Sequence, residues 1–218
     1  MSRVIDLTLP VETGMPTCGT PWHQKVSIER MGKISEVGRN TSKIILGSHS
    51  GTHMDAPLHF IEGGNDIKSL NLDYLCGAVT VVDLSRYGQG DVVPLSAVEH
   101  VKVTERMLFR FLWYKNWKTS RYYDKFPYFS GEAIDFLIDN GMKVIALDTP
   151  SPDDGGAITD LSNDSPNHKK MLRKGIIIVE YLNNTEVLDA SKKYEIIALP
   201  LKLVGSDGSP SRVIARDI

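Results

Sequence analysis

Residues 42–60 read SKIILGSHSGTHMDAPLHF. A short apolar run ends at Gly47, and three of the chain's six histidines follow at positions 49, 53 and 59, with Asp55 among them. All spacings are even, so on one flat strand these side chains would share a face. At about 3.3 Å per residue, however, His49 and His59 would stand about 33 Å apart, and even His49 and His53 about 13 Å. Ligand bonds to a single ion are about 2 Å long, so no extended strand can gather these groups. Gly51 permits a turn, and Pro57 forbids an ordinary helix through the second half. The stretch therefore reads as a strand over 42–47 that stops in a tight turn, with His49, His53 and Asp55 folded around one point. Two imidazoles and a carboxylate suit Zn²⁺, and also Mn²⁺ or Fe²⁺. An HxxxH pair with no glutamate between is not the zinc-protease motif, because no general base occupies that slot.

Working outward, similar runs recur: AVTVVDL (78–84), MLFRFLWY (107–114), KVIALD (143–148), GIIIVEYL (175–182), YEIIALPLKL (194–203) and SRVIAR (211–216). Runs this short, rich in Val and Ile and bounded by Gly, Pro, Asn or Asp, argue for strands. Only two stretches read as helices. In SGEAIDFLIDNG (130–141), Ile134, Leu137 and Ile138 recur at helical spacing between a capping Ser130 and a terminating Gly141. In SPNHKKMLRKG (165–175), Ser165 caps, Pro166 suits the first helical position and Gly175 closes the end. Both helices run directly into an apolar strand. Strands outnumber helices, and several follow one another with no helix between. The expected fold class is therefore mixed α/β, a strand-rich domain with a mixed sheet and few helices, spanning residues 1–218 as one unit. The Pro-, Gly-, Asp- and Ser-rich segment 148–167 is long for a plain connection and is expected to cover a site.

Composition narrows the partners. A net charge of −2 gives no electrostatic reason to expect nucleic acid or an anionic membrane. The basic pairs Lys169–Lys170 and Lys192–Lys193 read as solvated surface. No run approaches the roughly 18 apolar residues of a membrane span, and MSRVIDLTLP lacks the apolar stretch of a signal peptide. Cys18 and Cys76 form no CxxC pair and read as reduced thiols. The expected location is the cytoplasm.

Further ligands can come from elsewhere. His168 falls early in the second predicted helix, after the acidic Asp160 and Asp164. Glu180 is a carboxylate inside GIIIVEYL, and a charge in such a run is rarely buried without a partner. Alternation puts Ile176, Ile178 and Glu180 on one face, so Glu180 either points into a cavity or sits at an exposed strand end. A helix–Gly–strand turn folds back and is able to bring His168 and Glu180 near each other. His100 reads as surface and His23 as surface or pocket rim, neither as a ligand.

HSGTHMDAPLHF resembles the H-x-G-T-H-x-D-x-P-x-H-F signature of the metal-dependent cyclase/hydrolase family that includes bacterial kynurenine formamidase and isatin hydrolase. VIALDTPSPD looks like that family's strand followed by D-T-P-S-x-D. The spacing from His168 to Glu180 matches the histidine and glutamate that complete its metal site. YEIIALPLKL with GSDGSPSRVIA is similar to its closing strands, and MPTCGTPW occupies the place of its early substrate loop. The resemblance covers essentially the whole chain. It implies the β/β/α domain of the kynurenine formamidase/cyclase type, assembled as a homodimer or homotetramer. It implies that His49, His53 and Asp55 hold one divalent metal, Zn²⁺ or Mn²⁺, and that Asp55 bridges to a second held by His168 and Glu180. His59 would be the catalytic imidazole, Glu180 would share the base role, and Trp22 and Phe60 would line an aryl pocket. Trp113, Trp117, Tyr122 and Tyr123 form a second aromatic-rich region with no place assigned. The implied activity is hydrolysis of a C–N bond of a small aryl amide by metal-activated water, N-formylkynurenine first, in tryptophan catabolism. An isatin-type cyclic amide hydrolase or a lactone or polyketide cyclase would share the metal site. A non-catalytic metal-binding module would not need His59.

Overall fold

The computed structural model describes residues 3–158 and 164–218. Its strands are β1 (Val4–Asp6), β2 (Ser27–Gly32), β3 (Thr41–Ile45), β4 (His53–Asp55), β5 (Cys76–Asp83), β6 (Val92–Val93), β7 (Arg106–Arg110), β8 (Tyr128–Phe129), β9 (Val144–Leu147), β10 (Ile177–Glu180), β11 (Tyr194–Pro200) and β12 (Gly208–Asp217). Its α-helices are α1 (Ile34–Val37), α2 (Leu72–Leu75), α3 (Gly131–Asp139) and α4 (Pro166–Arg173). The main sheet runs β1-β12-β11-β5-β7-β9-β10-β4, and β4 also pairs with β12, so every strand of this sheet but β1 belongs to a closed ring. The β5, β7, β9 and β10 pairings are parallel, while β4, β11 and β12 join antiparallel. The mixed sheet with few helices agrees with the expectation from sequence. No helix among the described residues is long and apolar enough to cross a membrane.

Alternation assigns each side chain to one of two cores. Met54, Val81, Leu108, Ala146, Val179, Ala198 and Val213 meet in one apolar cluster drawn from all seven ring strands. Phe109, Ile145, Leu147 and Ile178 face the other way, against Ile134 and Leu137 of α3 and Met171 and Leu172 of α4. Strands β9 and β10 are buried on both faces, which is why their sequences read as continuous apolar runs.

Three local expectations need correction. The run at 42–47 forms β3, which pairs only with β2 in an exposed hairpin and lies outside the ring. MLFRFLWY leaves the strand at Arg110, because Asp148 Oδ1 and Oδ2 accept the backbone N–H groups of Phe111 and Leu112 and Leu112 turns left-handed at φ 60°. Ser165 occupies the cap position of α4 but makes no side-chain cap bond. Asp153 caps that helix instead, its Oδ1 accepting from Asn167 N at 2.7 Å and its Oδ2 from His168 N at 2.9 Å. Ser130 does cap α3, accepting from Ala133 N.

Candidate metal centre

The site is built on the outer face of β4. His53 and Asp55 flank Met54, whose fully buried side chain anchors the strand in the inner core. Burial of such a side chain contributes about 1.5–3 kcal/mol. Across the sheet, Glu180 pairs with His53 and Ile178 with Asp55, so Glu180 shares the face of His53 and Asp55. On the other side, Gly208 pairs with Asp55. Any Cβ at 208 would come within 2.8 Å of His49 Cε1, so only glycine leaves room for that ring. Gly51 (φ 63°) turns the chain so that His49, outside the strand, folds back over Asp55. Its Nδ1 comes to 2.8 Å from Asp55 Oδ1. Pro57 starts a single 3₁₀ turn that carries His59 to the same cluster, its ring centroid 4.0 Å from that of His49. His168 arrives from the first turn of α4.

Backbone and carboxylate partners set which ring nitrogen faces inward. His53 Nδ1 donates to Gly51 O at 2.8 Å, and His168 Nδ1 to Asp153 Oδ2 at 2.7 Å. The Nε2 atoms are thereby free to point at the carboxylates. His53 Nε2 lies 3.4 Å from both Asp55 Oδ1 and Glu180 Oε2. His168 Nε2 lies 3.4 Å from Asp55 Oδ2 and 3.2 Å from Glu180 Oε1. Ligand atoms about 2.0–2.2 Å from a tetrahedral ion stand about 3.3–3.6 Å from one another, so these spacings suit ligands of a cation. Asp55 Oδ1 and Oδ2 and Glu180 Oε1 are buried, and the imidazole nitrogens around them, His49 Nδ1 included, make no well-directed hydrogen bond to them among the described residues. Two buried carboxylates with three oxygens that lack a well-directed hydrogen bond are costly unless a cation joins them, and the donor set fits one. His53, Asp55 and Glu180 form one group of ligand distance and His49, Asp55 and His59 another, with Asp55 common to both.

The electrostatics agree. Burial disfavours the His49 charge, but Asp55 and Asp207 outweigh it and push the imidazole up to about 10. Burial likewise opposes the His168 charge, and the carboxylates of Asp153, Asp55 and Glu180 hold it well above the usual range. Burial raises the Glu180 carboxyl and the neighbouring Asp55 charge raises it further. Asp55 stays well below the usual range despite burial, because His49 and His59 stabilise its charge. These imidazoles stand where a cation's charge is called for.

The sequence-derived site residues converge: His49, His53, His59, Phe60, His168 and Glu180 line one cavity of about 640 Å³, with Trp22 at its rim. Trp22 is 67% exposed, whereas Phe60 packs 4.4 Å from the His59 ring and 5.2 Å from His168. His23 is a rim residue, 6.1 Å from the His49 ring, and burial and the neighbouring imidazoles lower it to about 4. His100 is exposed, as expected. Lys169 is not plain surface, since its Nζ lies 5.8 Å above Phe60 and the residue lines the cavity. Of segment 148–167, Pro150, Ser151, Asp164 and Ser165 line the cavity wall, while Asp160 lies outside the described residues. The second aromatic region falls behind His53: Trp117, Tyr122 and Tyr123 surround Tyr181, and Trp113 Nε1 donates to Tyr122 O.

Sequence reasoning missed three residues of this site. Asp207 accepts from His49 Nε2 at 2.7 Å and His59 Nδ1 at 3.1 Å, and these contacts hold its carboxyl far below the ordinary range. Asp153 orients His168. Tyr181 lines the cavity beside Glu180. The aspartates of GSDG and of DTPSPD were the available signals, but neither spacing says which histidine each one holds.

The profile of the Cyclase family matches residues 5–154. The chain belongs to this family. Over 219 residues, all of this chain and 99% of the relative, it is 30% identical to a kynurenine formamidase of Bacillus mycoides. Isatin hydrolase A from Ralstonia solanacearum superposes with a TM-score of 0.88 at 24% identity, over 100% of this chain and 92% of that one, a likeness of fold. A "predicted metal-dependent hydrolase" from Bacillus stearothermophilus superposes with a TM-score of 0.77 at 27% identity over the whole of both chains. The family's β-rich architecture is thus the one expected from HSGTHMDAPLHF.

Proposed function

We propose that the chain is a metal-dependent hydrolase that cleaves the C–N bond of a small aryl amide, with N-formylkynurenine as the leading substrate. One observation carries the reading: buried Asp55 and Glu180, three of whose oxygens lack a well-directed hydrogen bond, face His53 and His168 beside a His59–Asp207 pair that opens on the same cavity. His49, His53, Asp55, His168 and Glu180 would hold one or two divalent ions, Zn²⁺ or Mn²⁺. A bound ion of this kind supplies Lewis acidity and lowers the pKa of water towards neutrality.

The chain's own residues supply the rest. Asp207 accepts from His59 Nδ1 and so leaves Nε2 to serve the cavity, the arrangement a general acid–base imidazole needs. As water adds to the amide carbon, His59 takes its proton and returns it to the departing aryl nitrogen, giving formate and a free arylamine. Glu180 shares the base role. Phe60 and Trp22 flank the aryl ring, and Phe60 also shields His59 and His168 from bulk water. A cyclic amide is the second reading, favoured by the closeness of fold to isatin hydrolase. We further assign the chain one catalytic unit over residues 1–218, a homodimer or homotetramer, and a cytoplasmic location.

His59→Ala tests the assignment. Hydrolysis of N-formylkynurenine is expected to be lost while metal content is retained. A variant that keeps wild-type turnover removes His59 from the chemistry.

A further inference from the structure

Tyr181 directly follows Glu180. In an extended strand, successive side chains point to opposite faces, so residue 181 would turn inward with Val179. Tyr181 instead sits at φ 58°, the left-handed region that bulky residues avoid. This breaks the alternation, and Glu180 and Tyr181 line the same cavity. The backbone is tied there, Tyr181 N donating to Thr149 O at 3.2 Å and Tyr181 O accepting from Thr52 Oγ1 at 2.6 Å. The residue is 6% exposed. Its ring lies 5.2 Å from His53, with Tyr122 at 5.6 Å, Tyr123 at 6.2 Å and Trp117 at 6.3 Å behind it. Phe60 packs on His59 and His168, so the two rings flank the ligand cluster from its His168 and His53 ends. A strained backbone that brings a large aromatic ring to a cavity beside ligand residues marks a functional position, since glycine or asparagine would sit there without strain.

We propose that Tyr181 is a specificity-determining residue, forming one wall of an aryl subsite by ring contact with the substrate and so selecting N-aryl amides. This rests on the aryl-amide reading above. The backing of Trp117, Tyr122 and Tyr123 fixes the ring in place, so the wall is preformed and an aromatic partner meets it in offset or edge-to-face contact. The Tyr181 ring, more than its hydroxyl, is the selecting group.

The test compares the metal-loaded wild type with Tyr181→Phe, which keeps the ring, and Tyr181→Asn, which removes it but tolerates the left-handed backbone. KM and kcat are measured with N-formylkynurenine. Equilibrium binding of 2-aminobenzoate, an arylamine with no scissile bond, is measured in parallel, with metal content as control. Tyr181→Phe is expected to stay within about twofold of wild type. Tyr181→Asn is expected to raise KM and weaken 2-aminobenzoate binding by about tenfold, with kcat and metal content little changed. A residue that merely supports the ligands would lower kcat and metal content together, and that result overturns the proposal. So does wild-type 2-aminobenzoate binding in Tyr181→Asn, or its absence in the wild type. If no N-formylkynurenine is hydrolysed but 2-aminobenzoate binding depends on the ring, the substrate reading falls and the aryl wall stands.

Discussion

Replacing Asp153 with Asn is an informative small change, because the carboxylate does two jobs with two oxygens. Oδ1 accepts from Asn167 N at 2.7 Å, and Oδ2 accepts from both His168 N and His168 Nδ1. An amide oxygen in the Oδ1 place keeps the first bond. The amide NH₂ then faces two donors where an acceptor stood. If His168 shifts its proton to relieve the clash, Nδ1 becomes the acceptor and Nε2 carries hydrogen towards Asp55 and Glu180, the wrong tautomer for a metal ligand. The His168 backbone N–H is left buried without a partner, costing about 1–3 kcal/mol, and the α4 cap weakens. A loss of about 2 kcal/mol lowers Tm by roughly 4–8 °C in a chain of this size. Metal affinity is expected to fall by about 10–100-fold. Thermal unfolding of the metal-free protein reads the first quantity, and competition with a chromogenic chelator reads the second. A variant with lowered Tm and unchanged metal affinity would show that Asp153 is a helix cap only, and the tautomer argument would be wrong.

Asp207→Asn, assayed at saturating metal, is expected to lower kcat about a hundredfold by releasing His59 while leaving the fold intact; wild-type kcat would detach Asp207 from the chemistry. Gly208→Ala drives a Cβ to 2.8 Å from His49 Cε1 and 3.0 Å from Met54 O, so it is expected to cost about 1–3 kcal/mol and weaken metal retention, both read by thermal unfolding with and without metal. Asp83 donates nothing to the site but tests the electrostatics: its bond with Arg110 (2.6 Å) holds the carboxyl down to about 2. A depressed folded pKa contributes stability above about pH 4 that is lost as pH falls towards 2. Because Asp83 is 40% exposed, the contribution stays under about 1 kcal/mol. The stability gap between wild type and Asp83→Asn should therefore narrow between pH 6 and pH 3, and a gap independent of pH would contradict the assignment.

The parts of the fold readable in advance were those with enough residues to express a period. Helix α3 shows Ile134, Leu137 and Ile138 at helical spacing, and β9 and β10 show continuous Val and Ile because both their faces are buried. Strands of two or three residues, such as β1 and β4, hold too little pattern, and β4 carries His53 and Asp55. SKIILG has the composition of a core strand yet lies in an exposed hairpin, since β-propensity does not report whether a second neighbour exists. That His49, His53, Asp55, His59, His168 and Glu180 cluster was legible from residue type and motif. Asp153 and Asp207 were not, because their partners lie 15 and 148 or more residues away in sequence, and a lone aspartate in a Gly- and Ser-rich loop looks like any turn. Tyr181 was hidden by the alternation rule itself, which assigns it to the opposite face.

On the proposed function, Asp55 and Glu180 share a divalent cation that this chemistry needs. Elemental analysis of the purified protein, paired with hydrolysis of N-formylkynurenine and isatin before and after chelation, tests it directly. One or two Zn²⁺ or Mn²⁺ per chain are expected, with turnover that a chelator abolishes and added metal restores. Turnover that survives complete metal removal, or no metal bound under metal-replete conditions, would contradict it.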